Sequence, residues 1–301
     1  MPVSAPEVAT ERGATGTVDV DLATGRRMLG RRLRRDRLSV TGLAVVAAFT
    51  LAAVAAPLLS GHEPTAVVPA DRLLGPSLEH PLGTDPLGRD LLSRLLFGSR
   101  WSLGAAAIAT VLVMTIGVSM GTVAGYYGGR LDAVVMRVVD MLLGFPSLVL
   151  ALAIVGTLGP GIVNVMIGLV GVWWVDYARI VRGLVLALRE REFVQAARAV
   201  GASDRHIMVR HVLPNVVPPV TVLATLEMGQ LILAISGLSF LGLGAHPPTP
   251  ELGAMLNDGR PFLFSAPQLM IYPGAAITLL VMGFNLLGDG LRDVLDPRLQ
   301  F

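Results

Sequence analysis

Cysteine is missing from this 301-residue chain, and so is lysine: all 24 basic residues are arginine. Without cysteine there are no disulfides, thiolate metal sites or cysteine nucleophiles. Without lysine there is neither a phosphate-binding loop of the G-x-x-x-x-G-K-S/T form nor a Schiff base. Charged residues make up only 15% of the chain, against about a quarter in an ordinary soluble domain. No histidine falls within the long apolar runs. An intramembrane hydrolase working through a serine–histidine pair would therefore lack its base.

What the chain has instead is apolar length. Hydrophobic residues make up 53% and the mean hydropathy is +0.65. Uncharged runs cover Leu38 to Leu59, Trp101 to Gly129, Met141 to Val175, Met228 to Ala245 and Leu269 to Gly288. A spanning helix needs about 20 mostly apolar residues, so the chain reads as an integral membrane protein. The third run is too long for one crossing: 35 residues would make a helix of about 52 Å, against a core of about 30 Å. Gly159-Pro160-Gly161 divides it into spans near 137–158 and 162–184. The fifth span runs from about Val217 to Leu243 and the sixth from about Leu269 to Leu287, with Pro273 in its first turns. The expected fold is all-α, with six transmembrane helices.

Arginine placement orients the spans. With the N-terminus inside, inner segments carry 19 arginines and outer segments 5, so both termini are expected in the cytoplasm. Residues 1–25 are polar and small, without the A-x-A-like site of a secretory signal. Seven arginines between Arg26 and Arg37 suit a headgroup anchor ahead of a span better than a nucleic-acid site. The expected layout is a cytoplasmic tail over 1–37, a membrane domain over 38–291 and a second tail over 292–301.

Residues 189–215 form a long charged inner segment. Its first half is a strong helix former around Ala196, Ala197 and Ala199. Gly201 stands where a helix end wants a left-handed residue. Ser203 can cap a second short helix, which is expected to stop before Pro214. This stretch resembles the EAA loop of permease subunits from binding-protein-dependent ABC importers. The match runs through Glu192, Ala196, Ala197 and Gly201, then Ile207, His211, Pro214 and Asn215.

Further stretches resemble the C-type permeases of dipeptide, oligopeptide and nickel importers. They are Leu82-Gly-Thr-Asp-Pro-Leu-Gly-Arg-Asp, Leu238-Ser-Phe-Leu-Gly-Leu-Gly and Asn285-Leu-Leu-Gly-Asp-Gly. Ile235 and Leu252 depart from the pattern, standing where many members carry Glu and Trp.

The resemblance implies the type I ABC importer permease architecture in a bacterial cytoplasmic membrane, carrying di- or oligopeptides or related small solutes. It implies that the loop at 187–213 docks on the ATPase, with Glu192, Ala196, Ala197, Gly201 and His211 as the coupling residues. It implies as partners a homologous second permease subunit, two ATP-binding subunits, an extracytoplasmic substrate-binding protein and membrane lipid. This chain then needs no cofactor and catalyses no reaction; ATP and Mg belong to the partner subunits.

Glu227 falls near the midplane of the fifth span, where an acid costs about 2.5–3.5 kcal/mol on insertion scales, which marks it as a functional candidate. It is expected to line the translocation path, with Gln230 about one turn on and on the same face. A proton-coupled secondary transporter using Glu227 is the alternative, although no inverted repeat of the kind common in such folds is visible.

Asp176 and Arg179 are expected to pair. Asp85, Arg89, Asp90 and Arg94 are expected on a helix lying at the outer interface. His206 and His211, five apart, do not share an α-helical face, and no spacing among His62, His80 and His246 suggests a metal site. Gly117, Gly121 and Gly125 keep the small-xxx-small spacing of a packed helix.

Overall fold

A computed structural model describes residues 36–295; the arginine-rich stretch to Arg35 and most of the C-terminal tail lie outside the described residues. All regular structure within them is helical. Helix α1 (Arg37–Val54) is capped by the Asp36 carboxylate, which accepts from the backbone N–H of Leu38 and Ser39. A short turn, α2 (Ala56–Leu59), follows, then a loop, then α3 (Leu91–Tyr127), whose 37 residues extend about 55 Å. Asp90 caps α3 by accepting from Ser93 N–H at 2.7 Å. Gly128 and Gly129, with φ of 65° and 60°, end it.

Helices α4 (Gly129–Leu143) and α5 (Ser147–Leu158) meet at an 88° bend. The expected span at 137–158 is therefore not one straight helix. Gly144 carries no side chain to hold the turn and Pro146 donates no N–H, so the backbone ladder breaks there. Helix α6 (Ile162–Arg189) follows the Gly159-Pro160-Gly161 turn, with φ of 86° and 145° at the two glycines. Two short helices, α7 (Glu192–Ala199) and α8 (Asp204–Ile207), lead into α9 (Leu213–Phe240). Helices α10 (Leu252–Gly259) and α11 (Gln268–Leu295) complete the chain.

Among the described residues four helices are long and apolar enough to cross a membrane, five if the bent α4–α5 pair is one span. The remaining expected span, 162–184, is α6, which carries Asp176, Arg179 and Arg182. Each of the six expected spans thus coincides with helix.

Close backbone approach holds the bundle together. A Cβ on Gly117 would lie 2.5 Å from Tyr177 Cβ, on Gly121 2.5 Å from the Ala178 carbonyl, and on Gly125 2.9 Å from Val185 Cβ. The glycine stripe of α3 therefore lets α6 lie directly on it, as its spacing predicts. Gly42 of α1 meets α11 in the same way, 2.7 Å from Leu287 N. The main core runs from Ala105, Ala109 and Val113 of α3 through Leu169 of α6 to Leu231, Ile232 and Ile235 of α9 and Leu280 of α11. Ile235 and Leu252, the two departures from the family pattern, are both fully buried in it.

The segment before α3 is not an interfacial helix. Arg94 belongs to the first turns of α3 and is 2% exposed. Asp85 and Arg89 stand in the preceding turn, and both are buried. Arg89 Nε donates to Asp85 Oδ2 at 2.5 Å, and Arg94 reaches Asp85 at 3.5 Å and Asp258 of α10 at 3.4 Å. Charges that pair inside the fold have no need of a headgroup layer, which is why the amphipathic reading fails here. Burial pushes the Asp258 carboxyl above the usual carboxylate range, while Arg94 and Arg89 pull it back.

Candidate functional site

The elbow formed by α7 and α8 is the most distinctive feature of the end where α6 stops. Glu192 opens α7 with its side chain exposed, a favourable place for an acid at a helix N-terminus. The helix turns Val194 inward and leaves Ala196 exposed and Ala197 half-buried. Gly201 then adopts φ of 80°, and the N–H groups of Gly201 and Ala202 return to the carbonyls of Arg198 and Ala197. That is the left-handed helix stop its position predicts. Ser203 caps α8 by accepting from His206 N–H at 3.4 Å.

The second helix does not stop before Pro214. Met208–Val212 form a π-helical turn, and helix runs without a break from Asp204 to Phe240. The wider turn accommodates Pro214 where it meets α9, although the proline removes one N–H from the backbone ladder there. It also corrects the reading of the histidines. Five residues make roughly one π turn, so the rings of His206 and His211 lie 5.8 Å apart. The half-buried His211 also lies beside Phe193, with ring centroids 6.4 Å apart.

Behind the elbow, Val194, Ile207, Val212 and Val216 pack with Tyr126, Val181 and Val185. Tyr126 Oη donates to Asp204 Oδ1 at 2.7 Å, and the Arg198 guanidinium lies 5.6 Å above the tyrosine ring. The elbow is thus bonded and packed onto α3, α6 and α9 together. Its outward side carries Glu192, Ala196, Gly201 and an 84%-exposed Val200. A cleft of about 370 Å³ beside it is lined by Ser203, Arg205, His206, Val209 and Arg210. Small, apolar and basic groups together suit contact with another protein.

The two residues expected on the translocation path do not share a face. Glu227 is 9% exposed and accepts a 2.7 Å hydrogen bond from Tyr177 Oη on α6. Gln230 is exposed, in line with Leu233, Gly237 and Leu241 along the same helix flank. Three residues on an α-helix turn the side chain by about 60°, which is enough here to separate the buried interface with α6 from the open flank.

Arg179 does not pair with Asp176; it bonds Asp140 across the α4–α6 contact. Arg182 grips Asp132 with two bonds, at 2.5 and 2.7 Å. These pairs link residues 39 and 50 positions apart, beyond the reach of any local spacing rule.

At the opposite end, the fold brings together residues whose sequence positions suggest no metal site: His62, Glu79 and His80 converge. Asp90 stands behind His80. Burial would raise the Asp90 carboxyl, but the Ser93 N–H and the His80 ring outweigh it and hold it below the usual carboxylate range.

Residues 114–301, which include the elbow and its supports on α6 and α9, match the family described as "Binding-protein-dependent transport system inner membrane component". The chain belongs to that family. It is a permease subunit of an ABC importer. Residues 26–76 match the N-terminal TM domain of oligopeptide transport permease C.

This permease is 44% identical to the dipeptide transport system permease protein DppC of Alkalihalophilus pseudofirmus over 270 residues, 90% of this chain and 89% of that one. It is 45% identical to the nickel transport system permease protein NikC of Escherichia coli K12, over 85% of this chain and 93% of that one. It is 44% identical to the glutathione transport system permease protein GsiD of Escherichia coli O6:K15:H31, over 90% and 89%.

In fold it resembles a chain of the inward-facing MetNI methionine ABC transporter. The TM-score is 0.51 at 20% identity, covering 67% of this chain and 96% of that one. Membership in the family displaces the proton-coupled reading of Glu227.

Proposed function

We propose that this permease forms half of a translocation path for di- or oligopeptides or related small solutes, and takes its driving force through the α7–α8 elbow. The observation that carries the proposal is the construction of the elbow. Its inner side is packed and hydrogen-bonded to three long helices, while its outer side offers Glu192, Ala196, Ala197, Gly201 and the His211 region to a partner. A push on such an elbow moves α3, α6 and α9 together, because packed helices shift as rigid bodies.

The partners are two ATP-binding subunits at the elbow, a homologous second permease and an extracytoplasmic substrate-binding protein. ATP and Mg are bound by the ATP-binding subunits, and this chain requires no cofactor of its own. Its open flank supports the pairing with a second permease: Trp101, Ile108 and Val163 are exposed around an apolar cavity of about 710 Å³ between α3 and α6. The distribution of arginines supports both termini, and the elbow between them, in the cytoplasm.

Gln230, on the open flank of α9, faces the path, and Glu227 supplies an acid one turn behind it. Identity near 44% to relatives named for dipeptide, nickel and glutathione transport supports a small polar solute, and peptides are the class proposed.

The test is purification of the tag-free complex in mild detergent, then ATP-dependent uptake of a dipeptide, a tripeptide and Ni²⁺ in liposomes with the binding protein supplied. Uptake of a peptide, together with co-purification of ATP-binding subunits that Gly201→Pro releases, supports the reading. A chain that purifies alone and transports without ATP overturns it.

A further inference from the structure

Loop 60–90, between α2 and α3, is folded back on itself with its polar groups largely spoken for. The Ser60 hydroxyl bonds the His62 carbonyl and lies 2.9 Å from the Ser93 hydroxyl of α3. His80 is held from both sides of its backbone: its N–H donates to Ser77 Oγ, and its carbonyl accepts from the N–H groups of Ser77 and Gly83, all at 2.9 Å. These bonds place two imidazoles 18 positions apart in sequence with ring centroids 4.7 Å apart. One ligand atom each from His62, Glu79 and His80 falls within 4.8 Å of the others. Among the described residues, this is the sole group of three or more such side chains that converges in this way.

The His80 ring is oriented as a metal ligand would be. It is 5% exposed, with Nδ1 2.9 Å from Asp90 Oδ1. Asp90 is itself buried, and its other oxygen accepts from Ser93 N–H. A carboxylate on Nδ1 keeps the proton there and leaves Nε2 with a bare lone pair, the arrangement found behind most metal-bound histidines. Nε2 lies 4.0 Å from Asp71 Oδ2. A cavity of about 220 Å³ opens at this point, lined by His62, Asp71, Glu79, His80 and Asp90 among others.

We propose that His62, Glu79 and His80 bind a divalent first-row transition metal ion such as Zn²⁺ or Ni²⁺, with Asp71 within reach as a fourth ligand. Imidazole and carboxylate together suit these ions, and without cysteine or a compact carboxylate cage the set does not favour Cu⁺ or Ca²⁺. Ligand bonds of about 2.0–2.2 Å require the donor atoms to close by roughly 1 Å from their present spacing. The exposed Glu79 side chain and the half-buried His62 ring are free to make that movement, while His80 stays fixed. An ion there would cross-link the loop to the start of α3 through His80, Asp90 and Ser93. Binding depends on neither the peptide reading nor the orientation of the chain.

The test is calorimetric titration of tag-free, chelator-stripped permease complex with Zn²⁺, and separately with Ni²⁺, in a non-coordinating buffer. The expected result is one saturable site per permease chain. His62→Ala and Glu79→Gln alter side chains at the surface and are expected to leave the complex assembled. Each is expected to weaken binding by about 10–100-fold and the double variant to abolish it, while His246→Ala changes nothing. X-ray absorption should show two imidazoles in a nitrogen and oxygen shell near 2.0–2.1 Å. Absence of saturable binding, or binding that survives in the double variant, overturns the proposal.

Discussion

Tyr126 at the end of α3 donates a 2.7 Å hydrogen bond to Asp204, the first residue of α8. The bond joins a membrane helix to the far side of the elbow, so the two cannot shift independently while it holds. Tyr126→Phe keeps the ring in its packed site and deletes the bond, at a cost to stability of about 1 kcal/mol. The expected outcome is an assembled complex whose ATP hydrolysis no longer rises fully with substrate and binding protein. Measured in liposomes, an unchanged stimulation would show that the bond does not take part in coupling.

Gly201 separates conformational strain from steric contact. No atom lies within 4 Å of the position its Cβ would occupy, yet φ is 80°. Gly201→Ala therefore meets no clash and suffers only the left-handed penalty, about 1 kcal/mol. Gly201→Pro cannot adopt the turn at all, because the ring fixes φ near −65°. Co-purification of the ATP-binding subunits should survive the first change and be lost in the second. Equal retention in both would show that docking does not need this bend.

The glycine stripe of α3 makes a stability prediction with an internal control. Gly121→Ala drives a Cβ to 2.5 Å from the Ala178 carbonyl, and overpacking of this kind costs about 1–3 kcal/mol. Gly171→Ala on α6 meets nothing within 4 Å. Tryptophan-fluorescence melting in detergent should show a lower midpoint for the first variant and none of that loss for the second.

These cases show where the sequence was readable. Gly201, the glycine stripe and the Gly159-Pro160-Gly161 turn report local constraints, and a backbone that needs positive φ or close approach leaves its mark in residue type. Each expected span coincides with helix for the same reason: apolar length is a local property. What could not be read is pairing over distance. Asp85, Arg89 and Arg94 look amphipathic until Asp258 closes the network from α10. Arg179 has Asp176 three residues away, yet bonds Asp140 on another helix. Glu227 and Gln230 are separated by the way α6 packs, which periodicity does not encode. The bend at Pro146 was readable in principle, but a long apolar run hid it. The His62 and His80 cluster was not, since the loop fold alone brings those rings together.

The buried ion network beside α10 supplies a fourth prediction. Arg94 is 2% exposed, with Asp85 and Asp258 as its acidic partners and the carbonyls of Pro64 and Pro248 within 3.5 Å. Arg94→Met leaves Asp85 with Arg89 alone and removes one of the two cations at Asp258. Breaking a buried pair from one side costs about 3–5 kcal/mol. The variant should melt well below the parent, and loop 60–90 should become the first site cut in limited proteolysis. Arg100→Met, which removes an exposed arginine from the same helix, should change neither reading.

Glu227 and Tyr177 separate a packing role from a transport role. Tyr177→Phe removes the donor but leaves the carboxyl in place, so its side-chain hydrogen bond is lost in a site where an unmet polar group is costly. Glu227→Gln keeps an oxygen that accepts from Tyr177 and removes the ionisable group. If the acid serves only to bind α6 to α9, Tyr177→Phe lowers the melting midpoint and Glu227→Gln leaves uptake intact. The proposed path predicts a different pattern. Glu227→Gln should assemble with a near-parental midpoint yet transport peptides with a free ammonium several-fold more slowly, and N-acetylated peptides at the parental rate. The ratio of those two rates in liposomes decides the question, because a packing defect slows both substrates alike.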